Sequence, residues 1–100
     1  MSISETELRD ALAQNVSVNE DSLTVDLEDG RTITVPLAWF PRLVSGTPTE
    51  RANYGFIGSG GGIYWPDLDE DISVASLLAG RRSGETQTSL RRWLASRIDT

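Results

Sequence analysis

The sequence predicts an α+β fold: a small antiparallel sheet with short helices packed on one face, followed by a C-terminal amphipathic helix. Three observations lead to this class. Apolar and polar residues alternate on both sides of a turn at Glu28–Gly30, a pattern typical of a β-hairpin. Two segments, SETE and TPTE, fit the capping box that begins a helix. The last segment repeats its apolar residues at helical spacing.

The N-terminal segment contains the first helix signal. Ser4 and Glu7 fit a capping box, and Leu8 and Leu12 lie four residues apart, on one face of a helix. We therefore expect a short helix over about 5–13. A helix of this length needs support from the rest of the protein to persist.

The stretch SLTVDLEDGRTITVPL is the clearest strand signal in the chain. Every second position is apolar on both sides of the turn, so each strand buries one face. These positions are Leu23, Val25, Leu27, Ile33, Val35 and Leu37. Val16 and Val18 predict a third, shorter strand before the hairpin. Because Pro36 has no N–H to donate, its strand ends there or lies at an edge of the sheet.

The middle of the chain alternates helix and strand signals. The stretch LAWFPRLV has helical spacing but contains Pro41, so we expect a short, bent or broken helix. Thr47–Glu50 is a second capping box with Pro48 in the first helical position, and predicts a helix over about 48–54. Tyr54–Trp65 has the pattern of a strand, a glycine turn and a second strand.

The stretch WPDLDEDISVASLLAG places four carboxylates within five positions. These are Asp67, Asp69, Glu70 and Asp71. A calcium-binding EF-hand loop would need Gly and Glu where the chain has Ile72 and Leu78. We therefore interpret the stretch as the acidic start of a two-turn helix, capped by Asp71 or Ser73 and ended by Gly80. A metal-dependent carboxylate enzyme at this place is the weakest alternative.

The C-terminal segment is basic and helical. Arg81–Glu85 is a linker, and the helix that follows carries an apolar stripe of Leu90, Trp93, Leu94 and Ile98. Arg91, Arg92 and Arg97 lie mainly off that stripe. Residues 72–100 have a net charge of +3 from five Arg and two acids, whereas residues 1–71 have −9 from 13 acids and four Arg.

Composition excludes several chemistries. The 100 residues include no Cys, no His and no Lys, which removes thiolate chemistry, the commonest general base and the lysine of a phosphate-binding loop. We therefore expect no enzyme activity and no cofactor. No apolar run approaches the length of a membrane span, and the N-terminus lacks the apolar core of a signal peptide, so we expect a cytoplasmic protein without membrane contact.

Four segments in order resemble the family catalogued as domain of unknown function 2442: DGRTITVPLAWFPRL, TPTERANY, IYWPDLDEDISVASLLAG and GETQTSLRRWLASR. The resemblance covers about residues 16–98 and implies a small bacterial α+β domain. It divides the chain into a variable N-terminal helix at 1–15, the family core at 16–80, and a linker with the C-terminal helix at 81–100. Some relatives add a helix-turn-helix segment that has no counterpart here. Others are encoded beside small toxin-like proteins, which implies an antitoxin-like role.

The leading hypothesis is a non-enzymatic protein-interaction or regulatory module, antitoxin-like in kind, whose partner is another small protein or a second copy. The alternative is a nucleic-acid-associated regulator that uses Arg91, Arg92 and Arg97. We favour it less because the acidic body repels phosphate at long range. The candidate contact residues are Trp39, Arg42, Trp65, Asp69, Glu70, Asp71, Arg91, Arg92, Trp93 and Arg97.

Overall fold

The structure, a computed structural model, describes residues 11–98 and confirms the α+β class. Six strands form two antiparallel sheets of three, where the sequence suggested one sheet. The first sheet contains β1 (Ala13–Val18), β2 (Ser22–Leu27) and β3 (Thr32–Pro36); the second contains β4 (Gly55–Ile57), β5 (Gly62–Trp65) and β6 (Glu70–Ser73). The helices are a 3₁₀ turn (Leu37–Trp39), α1 (Pro41–Val44), α2 (Pro48–Ala52), α3 (Val74–Leu78) and α4 (Gln87–Ile98).

The first sheet follows the predicted hairpin closely. β2 pairs with β1 on one side and β3 on the other, so β3 is an edge strand that ends at Pro36 as expected. The alternating apolar residues of β2 are buried, and Val25 is completely inaccessible to solvent. At the tight turn before β3, Gly30 has a φ of +96°, a conformation that an L side chain rarely adopts.

The acidic stretch departs from its predicted structure. Residues Glu70–Ser73 are β6 and not the first turn of a helix, so their carboxylates do not face a helix dipole. The chain first turns back after β5, with Asp69 in the left-handed region at a φ of +48°. Ile72 then pairs with buried Ile63 and is itself buried. Burial of Ile72 across the new strand therefore overrides the helical interpretation of the acids.

The short helices begin and end largely where the sequence indicates. Phe40 separates the 3₁₀ turn from α1, which begins at Pro41, and this interruption confirms a broken helix. Thr47 and Glu50 form both hydrogen bonds of the predicted capping box. Ser73, one of the two proposed caps, accepts a hydrogen bond from the Ser76 N–H at 3.0 Å. Gly80 ends this region with a φ of +72°.

The predicted N-terminal helix at about 5–13 lies mostly outside the described residues. At its C-terminal end the chain is not helical: residues 11 and 12 are irregular, and Ala13 already belongs to β1. The Ala13 N–H donates to the Gly60 carbonyl at 2.7 Å, and the Leu12 carbonyl accepts from the Glu28 N–H at 2.9 Å. These hydrogen bonds join this segment to both sheets, in place of the bonds a helix would need.

A single apolar core lies between the sheets and the short helices. It contains buried residues of both sheets, including Leu23 from the first and Trp65 from the second, together with Leu43, Leu68 and Val74 from the connecting segments. The sheets approach closely at Gly60, where an added Cβ would lie 2.7 Å from the Ala13 carbonyl oxygen. Among the helices of residues 11–98, none has both the length and the apolar composition of a membrane-spanning helix.

Candidate interaction surface

Trp65 lies inside the core and not at the surface. Its side chain is fully buried, and its indole N–H donates to the Arg51 carbonyl at 3.0 Å. Arg51 is also buried, and its guanidinium donates to the carbonyls of Leu43 and Val44, each at 2.8 Å. Because these carbonyls close the C-terminal end of α1, Arg51 takes a capping role that the sequence did not reveal.

Arg42 connects the linker and α4 to the body. Its Nη2 donates to Glu85 Oε2 at 3.1 Å, and its Nη1 donates to the Asp69 carbonyl at 2.9 Å. The centre of its guanidinium lies 5.0 Å from the ring centroid of Trp93, a distance typical of a cation–π contact. The Ser89 hydroxyl donates to Glu85 at 2.6 Å and fixes the carboxylate from the side of α4.

Arg97 forms a second attachment of the same kind. Its Nη2 donates to Glu50 at 2.8 Å, and its guanidinium centre lies 4.7 Å from the Trp93 ring. Glu50 thereby serves both the α2 capping box and α4. We call Arg42, Glu50, Glu85, Trp93 and Arg97 the helix contact cluster. Three of its members were candidate contact residues, whereas Glu50 and Glu85 entered the sequence analysis only as parts of a capping box and a linker.

The cluster has a defined electrostatic character. The Arg97 guanidinium holds the pKa of the Glu50 carboxyl below its usual value of 4.5, with help from the Thr47 backbone N–H. Arg42 likewise lowers the pKa of the Glu85 carboxyl, and the Ser89 hydroxyl adds to the effect. Both carboxylates are therefore ionised near neutral pH and attract the arginines that hold α4.

Glu70 has the opposite electrostatic character. Its carboxyl is half-buried, and burial raises its pKa from 4.5 to about 7, even though Arg42 favours the charged form. Glu70 lines a polar cleft of about 230 Å³, and Ser76, Arg81 and Arg82 line the same cleft. Trp39 lies near the same linker and holds it in place: its carbonyl accepts from the Ser83 N–H at 3.0 Å.

The remaining predicted contact residues stay at the surface. Arg91 and Arg92 are exposed on α4, and Arg91 Nη2 donates to Gln87 Oε1 of the same helix at 3.5 Å. The Asp69 side chain is 78% exposed, and its Oδ2 lies 3.4 Å from Arg42 Nη1. No three acidic side chains of residues 11–98 stand close enough to hold a metal ion.

The second sheet presents an exposed face that the sequence analysis did not identify. Its strands place Ile57 beside Gly62, and Tyr64 beside Asp71. Ile57 and Tyr64 are 49% and 39% exposed, which is high for apolar side chains of a sheet. We call Ile57, Gly62, Tyr64 and Asp71 the outer face of the second sheet. The signal that could have revealed it is the absence of charge from residue 52 to residue 66, the longest such stretch in the chain.

A groove of about 360 Å³ lies on this outer face. Ile57 supplies its exposed apolar side chain, Gly61 and Gly62 add no side chains to it, and the exposed Asp71 lies at its rim. A Cβ at Gly62 would lie only 3.1 Å from the Ile57 side chain, so glycine allows Ile57 to lie against the sheet. The groove can accept an apolar or long basic side chain.

Comparison with solved structures supports the fold. A crystal structure of a protein of unknown function from Rhodospirillum rubrum is 26% identical, covers 78% of this chain and 94% of its own, and has a TM-score of 0.64. A solution NMR structure of an uncharacterized protein from Chromobacterium violaceum is 22% identical, covers 92% and 81%, and has a TM-score of 0.66. No curated protein matches the chain.

A family model matches residues 13–83, which contain both sheets, the core and the linker residues that contact Trp39. The match ends before α4 begins at Gln87. It includes Arg42 and Asp69 but not Trp93 or Arg97. Because the match covers more than half of the sequence, the chain belongs to the family described as Protein of unknown function (DUF2442).

Proposed function

We propose that this protein is a non-enzymatic interaction module that binds a small partner protein through the outer face of its second sheet. The observation that carries this proposal is the exposed groove beside Ile57, with an acidic rim at Asp71, on a chain of net charge −6. A partner segment with apolar and basic side chains complements such a surface in shape and charge. An antitoxin-like pairing with a small basic protein is the specific form of this role that we favour.

The body of the protein is suited to such a task. A buried core fixes β5 and β6 from behind, so the groove is presented on a rigid support. The exposed Ile57 and Tyr64 offer an aliphatic and an aromatic contact, the side chains that commonly anchor protein interfaces. Asp71 at the rim adds specificity for a basic neighbour more than it adds affinity.

The test compares two matched variants as bait. Ile57→Ser changes the groove, whereas Val44→Ser changes an equally exposed apolar residue of α1, at 47% exposure. Immobilised protein is incubated with host lysate after nuclease treatment, and the retained proteins are quantified by mass spectrometry. We expect one small basic protein to be retained by the unchanged chain and by Val44→Ser, and at least about tenfold less of it by Ile57→Ser. Equal retention by both variants would contradict the proposal.

A second candidate function rests on the exposed arginines of α4. Arg91 and Arg92 point to solvent, although Arg97 is committed to Glu50 and Trp93. A nucleic-acid-associated regulator would bind duplex DNA or RNA with an affinity that falls steeply as salt rises, and Arg91→Ala with Arg92→Ala would reduce that slope. Fluorescence anisotropy of labelled duplexes over a salt series separates this function from the protein-binding one.

A further inference from the structure

The two sheets have four outer edges, and those of the first sheet are protected. The edge of β1 is occupied by the second half of the chain: the Val16 N–H donates to the Tyr54 hydroxyl at 3.4 Å, and the Ala13 N–H donates to Gly60. The edge of β3 ends at Pro36, which cannot donate a hydrogen bond to another strand. The contacts of β1 oppose the addition of a further strand along that edge, and Pro36 limits how far one could extend along β3.

The edges of the second sheet differ from each other. β6 carries the charges of Glu70 and Asp71, which oppose pairing with another acidic strand. β4 contains only Gly55, Phe56 and Ile57, all of them exposed and none charged. Among residues 11–98, the one backbone hydrogen bond that β4 forms outside its pairing with β5 runs from the Gly60 N–H to the Ile57 carbonyl, and the Phe56 ring also contacts Tyr54. Within the part of the chain that the structure describes, β4 is therefore an open strand edge, and it carries no protective charge or proline of its own.

The charge distribution identifies what can pair with this edge. A second copy also carries a net charge of −6, so a symmetric contact is unfavourable wherever acids would face their own equivalents. β4 lies within residues 52–66, which carry no charge. Two copies that meet at β4 would keep Glu70 and Asp71 two strands away from the contact, because β5 lies between β4 and β6. This edge is thus the place where identical acidic chains can approach without facing charges.

We propose that a second copy of this chain pairs with β4 in antiparallel fashion about a two-fold axis. The pairing joins two three-stranded sheets into one of six strands and covers Phe56, which is 42% exposed. A strand of three residues forms few hydrogen bonds, so the dimer dissociates readily. The fraction of protein in the dimer therefore rises with protein concentration. The inference goes beyond the proposed function because it uses the backbone edge, whereas the groove for the small partner lies on the face of the sheet.

The experiment compares two variants, one with a lysine in β4 and one with a lysine in the linker. Gly55→Lys adds a charge to β4 at a position where a new Cβ meets no atom within 4 Å, and Gly84→Lys makes the same change in the linker with equally open space. Sedimentation equilibrium from micromolar to millimolar concentration measures the dimer Kd of each. We expect a dimer for the unchanged chain and Gly84→Lys, and a Kd at least about tenfold higher for Gly55→Lys.

Several outcomes would overturn the proposal. A chain that stays monomeric at millimolar concentration has no edge dimer, and equal weakening by both lysines would mean that net charge alone governs association. Circular dichroism of Gly55→Lys verifies its fold. If that variant fails to fold, the cysteine-free chain permits a second measurement: oxidised Phe56→Cys cross-links to a dimer faster than Gly84→Cys if β4 pairs with itself. Loss of the edge dimer leaves the Ile57→Ser binding test unaffected, so the two proposals fail separately.

Discussion

The two sheets and the C-terminal helix are attached to the protein by different forces. In the sheets and the segments between them, large apolar side chains such as Leu23, Leu43 and Trp65 are completely buried. In α4, Trp93 packs against this core but is only half-buried, and Leu90 and Leu94 of the predicted apolar stripe are likewise half-buried. Arginine–carboxylate contacts on either side of the Trp93 ring add a second kind of attachment for the helix.

This difference predicts how each region responds to its surroundings. Burial of apolar surface contributes about 25 cal/mol per Å² and depends little on pH or salt. Ion pairs near the surface contribute less, are screened by salt, and depend on the protonation of their carboxylates. We therefore expect a body that unfolds as one unit and a helix that can be loosened first. Each prediction below tests that contrast, from the largest expected effect to the smallest.

The largest effect is expected from Trp65→Ala. The change removes a fully buried ring and leaves the Arg51 carbonyl without its hydrogen bond. Cavities of this kind cost about 3–5 kcal/mol. Urea denaturation should show this loss in the free energy of unfolding of the whole body. Phe56→Ala removes an aromatic ring that is 42% exposed, and should cost less than about 1 kcal/mol. Equal losses from the two variants would contradict a core organised around Trp65.

Arg42→Met should loosen α4 while leaving the sheets intact. Arg42 and Glu85 have side chains that are 16% and 11% exposed, so the change leaves a largely desolvated carboxylate without its cation. We expect a local loss of about 2–3 kcal/mol. Hydrogen exchange should accelerate at the amides of α4 but not at those of β2. Arg92→Met, at an exposed position of the same helix, is the control and should leave both rates unchanged. Faster exchange throughout β2 would show that α4 and the body unfold together.

Much of the fold could be predicted because local signals agreed with tertiary structure. The alternation in β2 and the capping box at Thr47 each act over a few residues and are visible in sequence. In the acidic stretch, the Ser73 cap and the Gly80 end were predicted correctly, but the place of Glu70 and Asp71 in a helical first turn was wrong. Ile72 is buried through its pairing with β5, a contact that no local pattern reveals. The helix contact cluster was predictable only in part. Arg42 and Arg97 stood out by charge, whereas their partners Glu85 and Glu50 are distant in sequence, at separations of 43 and 47 residues.

Glu70→Gln should stabilise the protein in a pH-dependent way. The folded protein holds the Glu70 proton up to about pH 7, whereas the unfolded chain loses it near pH 4.5. Between these values the folded state binds more protons, so the stability of the unchanged protein falls as pH rises. Glutamine removes this effect and should add about 1–2 kcal/mol at pH 8 and nothing at pH 4. Urea denaturation at both pH values measures this, with Glu28→Gln in an exposed turn as the control. A gain that is equal at both pH values would refute the cause assigned here.

The smallest effect is expected where α4 responds to acid in the opposite direction. The pKa values of Glu50 and Glu85 are lowered by their arginines, so their contribution is complete above pH 4.5 and is lost as pH falls through the lowered values. Protonation leaves each carboxyl neutral and still able to accept a hydrogen bond from its arginine, unlike removal of Arg42, so we expect a smaller loss of about 0.5–1 kcal/mol in the attachment of α4. Hydrogen exchange, corrected for intrinsic rates, should show faster opening of α4 at low pH while β2 stays protected.

Two further measurements decide whether these carboxylates are the cause of the acid response. In Glu50→Gln with Glu85→Gln, α4 should open equally fast at neutral and low pH, because the groups that titrate are gone. Molar salt at neutral pH should open the helix of the unchanged protein by a similar small amount, since it screens the same contacts. If α4 instead stays protected in acid and in salt, then burial of Trp93 holds the helix. The sheets and α4 would then be stabilised by the same force, apolar burial, and would differ only in the amount of surface buried.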